Sequence, residues 1–296
     1  MPDTSTDPGR AAGRPRAGRR LTALLLASHL GPTVVVTALC TALAVAVGAP
    51  AGTVLLVLGT VLAGQLSIGW SNDWLDAARD VAVGRADKPV VSGGVTASGL
   101  RTAAFVAVAA SVALSVPAGA AAVVAHLVVV AMGWAYNLGL KSTVASWLPY
   151  AVAFGALPAF VVLTLPGDAR PAGWLVAVGA LLGIGAHLAN VLPDLDDDAA
   201  TGVRGLPHRM GRRATAVLAP ATLAVAVGVA VVGPPGPPRG ATVVVGVLAV
   251  AVACVAGVVA VVRPRSRAPF PLVMLVAALC VGALVTTGLE GAVVHP

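Results

Sequence analysis

The chain is a succession of long apolar runs separated by short polar stretches, and the length of the runs decides what each can be. Nine of them, at roughly 21–48, 51–71, 101–118, 120–138, 146–165, 173–192, 214–232, 241–262 and 270–289, come near the ~20 residues that a helix needs to cross a bilayer core. The alternation with period two that would mark strands does not appear. The pattern therefore predicts an all-α polytopic membrane protein, a bundle of nine transmembrane helices. Residues 1–20, rich in Pro, Gly, Ser and Arg, read as a disordered basic N-terminal tail, which leaves 21–296 as one transmembrane domain. Arg19 and Arg20 precede a run nearly twice as long as a signal-peptide core, so that run is an uncleaved first helix.

Composition agrees: 58% of the 296 residues are hydrophobic and 10% charged, against roughly 25% charged in soluble domains. The net charge of +7 is a matter of topology. With the N-terminus inside, seventeen of the nineteen basic residues flank cytoplasmic helix ends, and only Arg170 and Arg239 lie outside. This puts the protein in the cell membrane with a cytoplasmic N-terminus and an external C-terminus. No nucleic-acid partner is implied. Cys40, Cys254 and Cys280 lie in separate runs and read as small buried hydrophobes.

The acids are where chemistry enters. Asp73, Asp76, Asp80 and Asp87, with Asp194, Asp196, Asp197 and Asp198, make up eight of twelve, in two groups that each end an apolar run on the cytoplasmic side. On a helix, Asn72, Asp73, Asp76 and Asp80 share a face. One aspartate at a bilayer centre costs roughly 2.5–3.5 kcal/mol, so the groups must line a polar cavity opening to the cytoplasmic side. Carboxylates facing each other there repel unless a cation sits between them. Clustered carboxylates without His or Cys suit magnesium, which favours one or two carboxylates plus water and substrate phosphate. Arg79, Arg85, Lys88, Lys141, Arg204 and Arg209 accompany the acids and suit the phosphate oxygens that the metal leaves free. An anionic head at the interface beside an apolar bundle implies a lipid-like tail.

His187, Asn190, Asp194 and Asp198 are spaced by three, four and four, one helical stripe running from the membrane to the acids. His187 is either a contact for a second substrate or a hydrogen-bonded interhelical residue. Tyr136, Asn137 and Tyr150 pose the same choice, and His29, near the start of the first helix, reads as structural.

SNDWLDAARD (71–80) is similar to the N-D-x-x-D-x-x-x-D motif of the UbiA superfamily of intramembrane prenyltransferases, through Asn72, Asp73, Asp76 and Asp80. DKPVVSG (87–93) resembles the loop that follows that motif. WAYNLGLKST (134–143) resembles the family's Y-N-x-x-L-K stretch through Tyr136, Asn137 and Lys141. DLDDDAATGVRGLPHRMG (194–211) resembles the second aspartate motif and its G-x-R-x-L-P flank, with Gly205 and His208 departing from the commoner residues. The resemblance implies magnesium held by Asn72, Asp76, Asp80, Asp194 and Asp198, the four aspartates being catalytic, with Asp73 and Asp196 orienting them. It implies an isoprenyl diphosphate donor neutralised by Lys88, Lys141, Arg204 and Arg209, and transfer through an allylic carbocation to an aromatic or lipid acceptor, touched by His187, Asn190, Tyr136 and Asn137. Two alternatives share parts of this reading: a membrane terpene cyclase using the same ionisation without an acceptor, and a cation-coupled transporter.

Overall fold

In the computed structural model, which describes residues 17–287 and 291–295, helices carry nearly the whole chain. Helices α1 (Ala17–Ala27) and α2 (Leu30–Ala46) meet at a 71° bend, and α3 (Ala51–Leu75) is followed by the short α4 (Ala77–Ala82). Then come α5 (Ala97–Ser115), α6 (Ala120–Leu138), α7 (Leu148–Leu163) and α8 (Gly173–Val191). Two short helices, α9 (Leu195–Ala200) and α10 (Leu206–Met210), lead to α11 (Arg212–Val232), α12 (Gly240–Val262) and α13 (Pro269–Thr287). A two-residue antiparallel pair, β1 (Arg170–Pro171) with β2 (Val293–Val294), ties the end of the chain to the α7–α8 connection.

Among the described residues, seven helical stretches are long and apolar enough to span a membrane, eight if the bent pair counts as one. The expected nine spans are thus not all drawn as such. The run 21–48 is broken at Ser28–His29, and α7 has 16 residues, about 24 Å at 1.5 Å per residue, against a ~30 Å core. Helix α7 stops where Leu165-Pro166-Gly167 interrupts the apolar run. Helix α1 begins at Ala17, inside the stretch that composition assigns to the tail; residues 1–16 lie outside the described residues.

Large apolar side chains cover the outside: Leu55, Val106, Val124, Val225, Val247 and Val258 are each more than half exposed. Such a surface belongs in lipid, and the protein is a multi-pass membrane protein. Cys254 faces out with them, contrary to its expected burial, whereas Cys40 and Cys280 are buried.

Two apolar cores divide the bundle. One packs Val36, Leu43, Val57, Val129 and Phe160 from α2, α3, α6 and α7. The other packs Leu175, Val178, Leu223, Ala253 and Val276 from α8, α11, α12 and α13. Helices α7 and α8 join the halves closely because Gly183 lies against the backbone carbonyl of Tyr150, where any Cβ would collide. Each half delivers one acidic segment to the seam, α3–α4 from the first and α8–α9 from the second.

Candidate functional site

The first acidic segment is not one straight helix. Helix α3 ends at Leu75 and Asp76 forms the junction to α4, yet the Asp76 N–H still donates to the Asn72 carbonyl and the Asp80 N–H to the Asp76 carbonyl, both at 2.9 Å. Helical spacing therefore survives the junction for Asn72, Asp76 and Asp80. Asp73 has partners of its own: its buried carboxylate takes Lys88 Nζ at 2.6 Å and His29 Nε2 at 3.0 Å on the same Oδ1.

Asp76 is the pivot. Lys141, on a tight turn at Leu140–Ser142 after α6, reaches its two oxygens at 2.5 and 2.8 Å, and Arg79 donates to Oδ2 at 3.0 Å. The same Lys141 and Arg79 act on the charge of Asp198 in the second segment, as Asp76 itself does. Two cations bonded to Asp76 thus also act on the charge of Asp198, which makes Asp76, Asp198 and Lys141 electrostatically coupled. Arg79 belongs to that coupled set, a role the motif comparison does not assign to it.

Asp80 is different. It is buried, neither oxygen has a hydrogen bond, and the nearest cationic atom, Arg79 Nε, is 4.0 Å from Oδ1. Burial holds its carboxyl above the usual carboxylate range against the opposing pull of Lys88. Its destabilising effect is therefore absent below the unfolded-state value and grows as pH rises through both values. Asp80→Asn should raise the melting temperature of metal-free protein in detergent at neutral pH by a few degrees, on the order of 2–4 °C per kcal/mol. An unchanged or lower melting temperature would contradict the unpaired charge.

The second segment leaves α8 through a turn at Leu192–Asp194 into α9. Asp198 lies 3.8 Å from His208 Nε2, and Arg267, from the loop between α12 and α13, approaches Asp194 at 3.9 Å. Asp196 is largely exposed and accepts from Arg212 at 3.0 Å. Arg212 also donates to the carbonyls of Leu192 at 2.6 Å and Pro264 at 2.8 Å, joining three segments. The basic loop at 263–268 is therefore part of the surroundings of the second segment. Arg204 and Arg209 are exposed, with Arg209 donating to the Arg204 carbonyl at 3.4 Å.

Two connections are fastened to each other. Ser146 Oγ, before α7, accepts the Leu206 N–H at 2.9 Å and meets His187 Nε2 at 3.1 Å. A Cβ on Gly205 would lie 2.6 Å from the Lys141 carbonyl oxygen and 2.7 Å from Ser146 Oγ, so backbone lies directly on the turn that carries Lys141. The glycine that departs from the commoner pattern is the one this contact requires. His187 is buried, with its ring centroid 5.0 Å from Tyr150 and 5.8 Å from Tyr136. Both tyrosines keep some accessible surface although they lie among α6, α7 and α8.

Asn137 is not free to touch a second substrate. Its Nδ2 donates to Ile68 O at 3.0 Å and Ser71 Oγ at 2.8 Å, and its Oδ1 accepts from Asn72 Nδ2 at 3.1 Å. That expectation gives way to a clamp on the Asn72 side chain, which leaves Asn72 Oδ1 for other uses. Asn190 is exposed while Ala189 and Val191 beside it are buried, so the stripe from His187 to Asp198 is not uniformly inward. Among the described residues no three His, Cys, Asp or Glu side chains form a ready-made metal cage.

The UbiA prenyltransferase family model matches residues 33–286. The chain is 33% identical over 183 residues to the bacteriochlorophyll synthase 33 kDa chain of Cereibacter sphaeroides, a match that takes in 58% of this chain and 60% of that one. Among solved structures it resembles a UbiA homologue from Aeropyrum pernix at TM-score 0.69 and 19% identity, covering 86% of this chain and 97% of the other. It also resembles a UbiA homologue from Archaeoglobus fulgidus bound to GPP and Mg2+, at TM-score 0.66 and 17% identity, covering 88% of this chain and 99% of the other.

Proposed function

Because the chain belongs to the UbiA prenyltransferase family, we propose that it transfers an isoprenyl group from an allylic polyprenyl diphosphate to an aromatic or other small or lipid acceptor. The observation that carries this reading is the electrostatic coupling of two acidic segments, with Lys141 and Arg79 bonded to Asp76 and acting on Asp198, and Asp80 buried without a hydrogen bond. A carboxylate so desolvated calls for a cation. Magnesium suits these donors, since it takes oxygen ligands and needs only one or two carboxylates when water and phosphate complete its shell. Asn72, Asp76, Asp80, Asp194 and Asp198 would hold it, with Asp73 and Asp196 steadying the two segments from behind. When bound, it would supply positive charge to the departing diphosphate.

The remaining steps fall to the chain's own side chains. Lys141 and Arg79 let go of Asp76 and turn to the diphosphate oxygens, joined by Lys88, Arg204 and Arg209. The bond between C1 and the bridging oxygen breaks, its electron pair leaves with the diphosphate, and the apolar bundle shelters the allylic cation from water. The acceptor then attacks C1, and the proton on its attacking atom is lost to the departed diphosphate. The homologue bound to GPP and Mg2+ supports this donor class. The distribution of basic residues supports a cytoplasmic N-terminus, acidic segments and cavity mouth, with the C-terminus outside.

His187 is suited to the acceptor. Ser146 Oγ accepts from Leu206 and can donate its own proton to His187 Nε2; in that tautomer the imidazole proton sits on Nδ1, a buried atom with no partner. Such an N–H, beside Tyr136 and Tyr150, matches an acceptor oxygen. His187→Phe should raise the acceptor KM at least ~10-fold and leave the donor KM unchanged, since a lost hydrogen bond to a desolvated group is of that size.

The test of the whole reading is diphosphate release from allylic diphosphates of increasing chain length, in detergent with magnesium, with and without aromatic and lipid acceptors. Release that needs both an acceptor and magnesium is expected. A cyclised hydrocarbon formed without acceptor would mean a terpene cyclase, and no release under any condition would overturn the enzyme.

A further inference from the structure

The bend between α1 and α2 is built on a residue that does not favour it. Among the described residues, every backbone position with positive φ is a glycine except His29, at φ 54° and ψ 57°. An L-residue is disfavoured in this left-handed region and glycine is not. The bend itself is secured by neighbours. Trp70 Nε1 donates to Leu24 O at 2.8 Å, Thr33 Oγ1 donates to Ser28 O at 2.7 Å, and Gly69 lies so close that a Cβ there would strike the Ser28 carbonyl. A glycine at position 29 would make the same turn with less strain, so the retained imidazole has another use.

That use is visible in its contacts. His29 Nε2 lies 3.0 Å from Asp73 Oδ1 and 3.5 Å from Lys88 Nζ, and Lys88 Nζ lies 2.6 Å from the same Asp73 oxygen. The Asp73 side chain is 1% exposed and the Lys88 side chain 14%, whereas that of His29 is 41% exposed, at the rim of the group. Lys88 also acts on the charge of Asp80. Lys88 can turn toward an anion only if Asp73, buried and ionised, keeps another donor, because a buried carboxylate stripped of its hydrogen bonds is strongly disfavoured. Among the described residues, His29 is the one other side chain bonded to it.

We propose that His29 is a positioning residue for the donor diphosphate: its Nε2–H holds the Asp73 carboxylate, which sets Lys88 in place and lets it engage the diphosphate without leaving Asp73 bare. This rests on the prenyl-transfer reading above. The residue touches neither substrate nor metal, and it acts through Asp73 and Lys88.

The experiment separates side chain from backbone by titrating GPP (geranyl diphosphate) with magnesium into purified protein in detergent, alongside melting temperatures. His29→Gly keeps the turn and removes the donor. Its Kd for GPP should rise at least ~10-fold, with a melting temperature within a few degrees of the parent protein, because relief of backbone strain offsets part of the lost hydrogen bond and Lys88 still holds Asp73. His29→Gln puts an amide N–H at the reach of Nε2 and should bring the Kd back within about threefold of the parent value. Full affinity in His29→Gly, equal loss in both variants, or loss in His29→Gly accompanied by a collapse of the cooperative melting transition would each overturn the proposal. If the parent protein itself fails to bind GPP with magnesium, the donor reading falls and takes the proposal with it, an outcome distinct from the other three.

Discussion

Asp76→Asn and Asp198→Asn will each lower the rate of diphosphate release by at least ~100-fold, the scale seen when one group that stabilises transition-state charge is removed. Both changes keep the shape of the side chain and delete its charge. Asp76 is the common anchor of Lys141 and Arg79, and the same two cations act on the charge of Asp198 in the second segment. Neither residue belongs to the apolar cores, which are made by α2, α3, α6 and α7 on one side and by α8, α11, α12 and α13 on the other. The variants should therefore elute from size exclusion like the parent and melt within a few degrees of it. Rates near normal in both would remove the two acidic segments from the chemistry.

Gly205→Ala should be nearly as damaging by a different route. A single methyl there would need room within 2.6 Å of the Lys141 carbonyl oxygen and 2.7 Å of Ser146 Oγ. The turn holding Lys141 must move, and Ser146 must abandon either the Leu206 N–H or His187. Overpacking of this kind costs about 1–3 kcal/mol. It falls on the lysine proposed for the donor and the histidine proposed for the acceptor together, so KM for both substrates should rise at least ~10-fold, where His187→Phe should move only one. Gly228→Ala, in helix α11 with nothing within 4 Å of a new Cβ, serves as the control and should be silent. A silent Gly205→Ala would show that the two connections are independent.

The membrane character and the acidic segments were legible because both are local properties of the chain. A run of ~20 apolar residues and a set of aspartates at helical spacing need no partner to be recognised. The bend at Ser28–His29 was not legible, because the residues that usually announce one, Gly31 and Pro32, come after it. It is imposed instead by α3, through Gly69 and Trp70. Asn137 was misassigned for a related reason: a polar residue in an apolar helix signals a partner, but only the approach of α3 reveals that the partner is Asn72. Arg212 looked like one positive charge among many, and its three-way attachment depends on two loops far apart in sequence. Asp80 is picked out by its spacing, but its lack of any hydrogen bond is a fact of packing.

The placement of Lys141 on Asp76 bears on the order in which ligands bind. A metal ion arriving alone at Asp76 must evict an ammonium group and leave it without an anion, whereas a metal ion arriving with diphosphate brings the evicted lysine a new partner. If the proposed function holds, the two ligands should therefore be heterotropically cooperative, each raising the affinity for the other by the same factor. Magnesium titrated without GPP should bind weakly, and the gain on adding GPP should equal the gain in GPP affinity on adding magnesium. A site built this way resists idle loading with metal and engages when its substrate is at hand.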